Sequence, residues 1–332
     1  MKGISVIVPI YNVEPYIDAC IQSLRQSMKG HPNVEILFIN DGTPDRSGEI
    51  AKSYCEDEPR FRYIEQLNKG LSNARNVGVR YSQYSYVAFV DSDDQVAPHY
   101  FQTLLSLIES ECDLYIFDAE LLRQDTSEVL EGIDVADELW TMQSNAGFKL
   151  YKRHLLELVP FTEGIIYEDV CFTYKLPYYV KSYQYSHEAL YLYRLGREGS
   201  ILNTPSKKIN DIYKVFKEIF KFYEERQAFN EEVKRGLAYQ FAKLVVWSNT
   251  YRQLKLNRYH FIRYYLKIKQ SRKILRNKFP NWQQNDLIHK REPFFTSRFG
   301  YHYLKRMDAL GKSFFQTIWT TLLIVWINRK RT

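Results

Sequence analysis

Three carboxylates within four residues, Asp91, Asp93 and Asp94 with Ser92 between them, interrupt the run Tyr86-Val-Ala-Phe-Val-Asp-Ser-Asp-Asp-Gln-Val-Ala-Pro98. The residues before Asp91 are apolar, β-branched or aromatic, the pattern of a strand buried on both faces. Pro98 closes the extended stretch. Like charges crowded at a buried strand end repel one another unless a cation sits among them. A hard divalent ion with oxygen ligands, Mg²⁺ or Mn²⁺, meets that need, and such ions commonly bring phosphates with them. Asp is also an ordinary turn residue, so the cluster taken alone fits a solvated acidic turn equally well. It does not stand alone. Asn12 follows the apolar run Ile4–Ile10, Asp41 follows Val34–Ile39, and Asn68 lies beyond Phe61–Ile64.

Helical spacing between these runs supplies the elements that would position them. Ile17, Cys20, Ile21 and Leu24 mark one helix over Pro15–Gln26. Asp45 or Ser47 is placed to cap a second, running through Tyr54, and a glycine turn at Asn68-Lys-Gly70 leads into a third. After Pro98 come a helix over His99–Ser110, a strand over Leu114–Phe117, and an acidic, poorly patterned stretch from Asp118 to Thr141 that suits loops or hairpins. Strands alternating with helices predict an α/β fold with a mostly parallel sheet, whose ligands bind beyond the strands' carboxyl ends.

Composition narrows the chemistry. The four cysteines are widely spaced without a CxxC pair, and the seven histidines include no HExxH, which argues against zinc sites and disulfide frameworks and suits a reducing compartment. The first nine residues are too short and strand-like for a secretory signal, so a cytoplasmic protein is expected. Residues 1–206 carry 18 Lys+Arg against 30 Asp+Glu, a net of −12, and residues 207–332 carry 28 against 9, a net of +19. Such asymmetry points to a basic region that meets an anionic surface.

Four motifs, Ile4–Asn12, Ile39-Asn-Asp-Gly-Thr-Pro-Asp45, Asn68-Lys-Gly-Leu-Ser-Asn-Ala-Arg-Asn76 and Phe89-Val-Asp-Ser-Asp-Asp94, resemble glycosyltransferase family 2 in content, order and spacing. The resemblance covers about residues 3–205 and implies a GT-A fold, a nucleotide-sugar donor and inverting transfer. Asn40 departs from the Asp common there, and Asp41 is retained. The resemblance further implies that Pro9, Tyr11 and Asn12 line the nucleotide pocket, with Tyr11 against a uracil and Asp41 accepting from its imide. Gly70 permits a turn and Arg75 lies near the nucleotide. Asp91 and Ser92 face the ribose side, and Asp93, with Asp91, holds Mn²⁺ or Mg²⁺ on the diphosphate. Asp94 is the rival metal ligand. Glu168-Asp169, within Pro160–Phe172, resembles the family's acidic pair at the sugar, with Asp169 as the base and Glu168 orienting the acceptor or a basic neighbour. An acid-rich helix start has the same composition. Arg194, Arg197 and Ser200 resemble a mobile segment that closes on the diphosphate.

From Lys207 the pattern turns helical and basic. Tyr251–Phe279 holds ten Lys/Arg and no acid, and the 14-residue apolar run Phe314–Ile327 carries Trp319 and Trp326 and is followed by Asn328-Arg-Lys-Arg331. Fourteen residues fall short of the ~20 that span a bilayer, so this region is expected to lie in an anionic membrane interface. A core or homo-oligomer helix is the second reading. Nucleic-acid binding comes last, since no motif for it is present. The whole reads as a catalytic domain over 1–205 and a basic helical extension over 206–332. It would move a hexose or N-acetylhexosamine from a UDP-sugar to a saccharide or lipid-linked saccharide at the inner face of a bacterial cell membrane. A non-catalytic saccharide- or nucleotide-binding module is the alternative from another class. A nucleotidyltransferase would normally carry a Gly-rich basic loop after the first strand, where this chain has Pro-Ile-Tyr-Asn.

Overall fold

The computed structural model describes residues 1–122, 129–133, 138–195, 206–257, 260–289, 306 and 308–329. It divides into two compact units, residues 1–200 and 201–332.

The first unit opens with β1 (Ile4–Ile10), α1 (Glu14–Ser27), β2 (Val34–Asn40), α2 (Ser47–Asp57), β3 (Phe61–Glu65), α3 (Leu71–Tyr81) and β4 (Tyr86–Phe89). Every residue of β1, β2 and β4 is buried, as largely apolar strands covered on both faces require, and two polar residues within them, Ser5 and Glu35, pair with each other across β1 and β2 at 2.6 Å. The chain continues through β5 (Gln95–Val96), α4 (Tyr100–Leu107), β6 (Leu114–Leu122), β7 (Val129–Ile133), β8 (Lys149–Lys152), α5 (Arg153–Leu158), α6 (Glu168–Thr173) and β9 (Tyr183–Arg194). The sheet order is β3-β2-β1-β4-β8-β6-β9-β5, with β7 paired to β6.

Pairing is parallel from β3 through β4, then mixed. β8 runs antiparallel to both β4 and β6, while β6 and β9 are parallel to each other. The insertion of β8 therefore sets the later half of the chain beside β4, and β9 returns to the acidic strand end through β5. Helix α3 packs close to the sheet because it carries Gly78. A Cβ there would stand 2.4 Å from Ile7 Cγ2, inside any real carbon contact. The helix expected over His99–Ser110 is α4 followed by a single 3₁₀ turn, Ile108–Ser110. Neither Asp45 nor Ser47 is the N-cap of α2, whose capping position is Arg46. Asp45 instead accepts from the Ser47 N–H at 3.2 Å, stabilising the turn just ahead of the helix.

The second unit is helical: α7 (Asp211–Glu225), α8 (Glu231–Phe241), a π-helical segment Ala242–Ser248, α9 (Asn249–Leu256), α10 (Phe261–Lys278) and α11 (Phe314–Arg329). Its core is aromatic, with Phe216, Phe220, Phe241 and Phe279 in edge, stacked and tilted contacts. Ile212, Val215, Phe216, Ile219, Phe220 and Tyr223, at helical spacing, form the buried face of α7.

Candidate active site

Buried Arg75, on α3, joins the two acidic motifs. One guanidinium nitrogen donates to Asp91 Oδ1 at 2.8 Å and another to Glu168 Oε1 at 2.9 Å. The guanidinium also lies 5.2 Å from the Phe161 ring centre and 6.0 Å from that of Phe89, which gives it apolar and cation–π contact on the desolvated side. Residues 161–163 are sewn to the same helix. Asn76 exchanges two 2.9 Å hydrogen bonds with the Phe161 backbone, Ser72 Oγ donates to Thr162 O, and Asn73 donates to Glu163. The polar residues of the Ser-Asn-Ala-Arg-Asn motif thus hold the loop that leads to Glu168 and Asp169.

One cation facing two carboxylates, with Asp169 next in the chain, leaves an excess of negative charge in a buried place. Burial pushes the Glu168 carboxyl up and Asp169 adds to the rise, outweighing Arg75, so that it titrates at about 7. Burial would lower the Arg75 guanidinium, but Asp91, Glu168 and Asp169 hold it protonated. Asp169 Oδ2 accepts from Ser144 Oγ at 2.9 Å and Oδ1 from the Val170 N–H at 2.8 Å. Tyr167, just before the pair, sits at φ 68°, a left-handed conformation uncommon for an aromatic residue.

The acidic strand end is organised by β9. Asp94 is 2% exposed, and its two oxygens accept from Tyr191 Oη and the Arg194 N–H, both at 2.7 Å. Burial and the neighbouring Asp93 and Asp91 push its carboxyl well above the usual range. Tyr191 Oη in turn accepts from the Asp91 N–H at 3.1 Å. Arg194 Nε donates to the Asp93 carbonyl at 2.8 Å, and its guanidinium lies 5.4 Å from the Tyr16 ring centre. Asp94 is therefore committed to holding β9, and Asp91 and Asp93 are the partly exposed carboxylates of the group. Ser92 is buried. Among the described residues no three acid, imidazole or thiol groups converge as a protein-only metal cage. Two carboxylates at one strand end suit an ion such as Mg²⁺, which commonly takes one or two protein carboxylates and completes its shell with phosphate and water.

The remaining expected residues line the neighbouring strand ends. Pro9 is buried in β1, and Tyr11, just past its end, is 47% exposed. Asn12 has φ 52° and its N–H donates to Thr43 Oγ1 at 2.8 Å, tying the loop after β1 to the loop after β2. Asp41, 3% exposed, accepts from the N–H groups of Lys69 and Gly70 and from Gln66 Nε2 at 2.7–2.8 Å. Gly70 has φ +89°, with open space where a Cβ would stand, so the turn conformation rather than crowding requires glycine. Asn40 donates to Tyr63 Oη and accepts from the Thr43 N–H, work in which its amide is both donor and acceptor. Arg197 and Ser200 lie outside the described residues. Sequence reasoning missed Tyr191, Ser144 and Gln66. Each pairs with a residue at least 25 positions away, and none sits in a local pattern that marks it.

The glycosyl transferase family 2 model matches residues 5–161. The chain is 35% identical over 227 residues to the glycosyltransferase GlyA of Streptococcus pneumoniae serotype 4, covering 62% of this chain and 32% of GlyA. It is 33% identical over 235 residues to the uncharacterized glycosyltransferase EpsJ of Bacillus subtilis, covering 63% of this chain and 65% of EpsJ. The chain thus spans less than two thirds of either. It is 30% identical over 224 residues to the glycosyltransferase GlyG of S. pneumoniae, covering 60% of this chain and 73% of GlyG. Among solved structures, S. aureus TarS 1-349 in complex with UDP aligns with TM-score 0.65 at 20% identity, covering 100% of this chain and 92% of that one. The complex of the same protein with UDP-GlcNAc gives 0.64. At that identity the likeness is one of fold, and it shares the GT-A-like curled sheet and the helical C-terminal region.

The shift at Glu168 makes a stability prediction. The folded protein keeps this proton up to about pH 7, whereas the unfolded chain releases it near its ordinary value of 4.5, so raising the pH across that window removes stability. Glu168→Gln keeps an acceptor for Arg75 and has no proton to lose. Relative to wild type it should gain on the order of 2 kcal/mol between pH 5 and pH 8, by urea unfolding. A difference that stays flat with pH would contradict the assignment.

Proposed function

The chain belongs to glycosyl transferase family 2, and on that premise we propose that it is an inverting glycosyltransferase that moves a hexose or N-acetylhexosamine from a UDP-sugar to a hydroxyl of a saccharide acceptor. The observation that carries this reading is the Arg75 bridge. It ties Asp91, at the strand end suited to a diphosphate, to Glu168, beside the carboxylate suited to an acceptor proton. UDP is favoured because TarS, of the same fold, was solved with UDP and with UDP-GlcNAc.

In this reading Tyr11 offers its exposed ring to the uracil. Asp41 accepts three protein donors, and a carboxylate can accept about four, so the uracil imide N–H completes its set. Asp91 faces the ribose. Asp93, assisted by Asp91, would hold Mn²⁺ or Mg²⁺, which would supply positive charge to the diphosphate leaving group. Arg194, at the base of the segment bearing Arg197 and Ser200, brings a cation to the same end, and those two residues extend the phosphate contacts. Asp169 takes the acceptor hydroxyl's proton as that oxygen bonds to the anomeric carbon from the face opposite UDP. The bond from that carbon to the diphosphate breaks, UDP leaves with its electron pair, and an α-linked donor gives a β-linked product. Glu168 holds Arg75 and borders the acceptor.

The acceptor belongs to cell-surface polysaccharide or lipopolysaccharide synthesis and is lipid-linked or lies at the membrane. The second unit supports that placement. No helix among the described residues is long and apolar enough to cross a membrane. On α11, however, the large apolar side chains Phe315, Trp319 and Leu322 are exposed by 82, 66 and 57%, while Thr317, Thr320 and Thr321 are buried. This helix has its apolar face outward. On α10 the solvent side reads Ile262, Leu266, Lys269, Lys273, Arg276, an apolar end continuing into a basic one. The two helices pack together through Tyr264 with Thr321 and Tyr265 with Phe314, so the apolar end of α10 lies alongside α11. Apolar side chains entering the acyl boundary beside cations on lipid phosphates is the arrangement of an interfacial anchor, which would seat the protein on the inner face of the cell membrane.

Two measurements test the proposal. Asp169→Asn should keep UDP binding and lose at least 100-fold in UDP release, assayed with UDP-glucose, UDP-galactose and UDP-GlcNAc and p-nitrophenyl glycosides as acceptors. Wild-type turnover in that variant would remove Asp169 as the base. In flotation with vesicles containing phosphatidylglycerol, the wild type should rise with the lipid, and the triple variant Phe315→Ser, Trp319→Ser, Leu322→Ser should remain at the bottom. Equal behaviour of the two, or a salt-stable dimer of the wild type in place of flotation, would reject the membrane face.

A further inference from the structure

The short turn before β8 is held in an unusual way. Five consecutive backbone carbonyls, Met142 to Ala146, each accept from a side chain. Tyr174 Oη donates to Met142 O at 3.1 Å, Thr173 Oγ1 to Ser144 O at 2.9 Å, and Tyr151 Oη to Ala146 O at 3.1 Å. The ammonium of Lys149 takes the two between, Gln143 O at 2.5 Å and Asn145 O at 2.7 Å. Asn145 adds its own side chain to the Gly147 N–H at 2.7 Å. Backbone polar groups in a buried turn need partners, but water or main chain usually supplies most of them.

Lys149 is the outlier of the group. It is 0% exposed, on a strand paired with β6 through Ile116. Desolvating an ammonium costs far more than desolvating a hydroxyl, and a buried methionine would fill the same volume without that cost. Its two carbonyl partners flank Ser144 on either side, so the ammonium clamps the backbone immediately before and after that residue. Ser144 then donates its hydroxyl to Asp169 Oδ2, while the Val170 N–H fixes Oδ1. The carboxylate is held in plane and rotamer by a hydroxyl whose own position is set by Lys149 and Thr173.

We propose that Lys149 and Ser144 are positioning residues for transfer. Lys149 locks the 143–145 turn, and Ser144, fixed at its apex, aims the Asp169 carboxylate at the acceptor hydroxyl. This rests on the reading of Asp169 as the base. Neither residue touches the substrate, and both act through geometry, where a misplacement of about 1 Å can cost on the order of 100-fold.

The test uses the full chain, the same UDP-release assay and crystal structures of the variants. Ser144→Ala should lower kcat about 10-fold and Lys149→Met about 100-fold, each with the KM for the UDP-sugar within twofold of wild type. Ser144→Thr, which restores the hydroxyl, should recover most of the loss. In the structure of Ser144→Ala the Asp169 carboxylate should have turned from its wild-type rotamer. A folded Ser144→Ala protein with wild-type kcat and an unmoved Asp169 overturns the proposal, and it does so even if Lys149→Met fails to fold. Asp169→Asn separates the two levels. If that variant is inactive while Ser144→Ala is fully active, positioning alone is wrong; if Asp169→Asn turns over normally, the base assignment beneath it has failed.

Discussion

The first unit depends on a buried guanidinium. Arg75 is fully desolvated, and a charge so placed is tolerated only where opposite charges and hydrogen bonds replace water. Asp91 and Glu168 provide both, Phe161 and Phe89 cover the apolar side, and the Nε–H remains without a hydrogen-bond partner among the described residues. Removing either carboxylate would leave the cation undercompensated, and removing the cation would set carboxylates against one another. The end of β4, helix α3 and the start of α6 are therefore held in one relation. That relation places the acidic strand end and the Glu168-Asp169 pair on the two sides of one arginine.

A second constraint comes from β9. By giving Tyr191 and the Arg194 backbone to Asp94, the strand supplies hydrogen-bond partners to both oxygens of the deepest of the three clustered acids and leaves Asp91 and Asp93 as the partly exposed pair. The antiparallel insertion of β8 makes this reachable, because it carries β6 and β9 beside the parallel half of the sheet. The same insertion delivers Lys149 and its turn to Asp169. The acidic strand end and the turn that holds Asp169 are thus built by different halves of one sheet, joined at β4.

Much of this was legible from residue order. The largely apolar runs of β1, β2 and β4 mark strands covered on both faces, and the polar residues that follow them lie at neighbouring strand ends, as their positions in the sequence imply. Asp94 was harder. Adjacent aspartates look alike in a sequence, and what separates Asp93 from Asp94 is a tyrosine 97 positions later. Ser144 and Lys149 sit in a stretch without periodicity, and their partners are defined by tertiary packing. The tail is a separate case: its apolar, Trp-bearing run was legible, and which of its side chains face outward was not. Phe315, Trp319 and Leu322 have the spacing of a helix face that would ordinarily turn inward, and the threonines that displace them do so by bonding along and across helices, as Thr321 does with Thr317 O and Tyr264. Hydropathy cannot foresee that inversion.

The proposed role of the β4 end is that of a metal-assisted site for the diphosphate of UDP. The most direct measurement is calorimetric titration of UDP into the full chain with and without Mn²⁺, repeated on Asp93→Asn. Binding should need the metal in the wild type and be lost in the variant, with the variant's thermal midpoint little changed. UDP binding of equal strength without metal, or undiminished in Asp93→Asn, would contradict the role given to the acidic strand end. No binding of UDP under either condition would contradict the donor site itself.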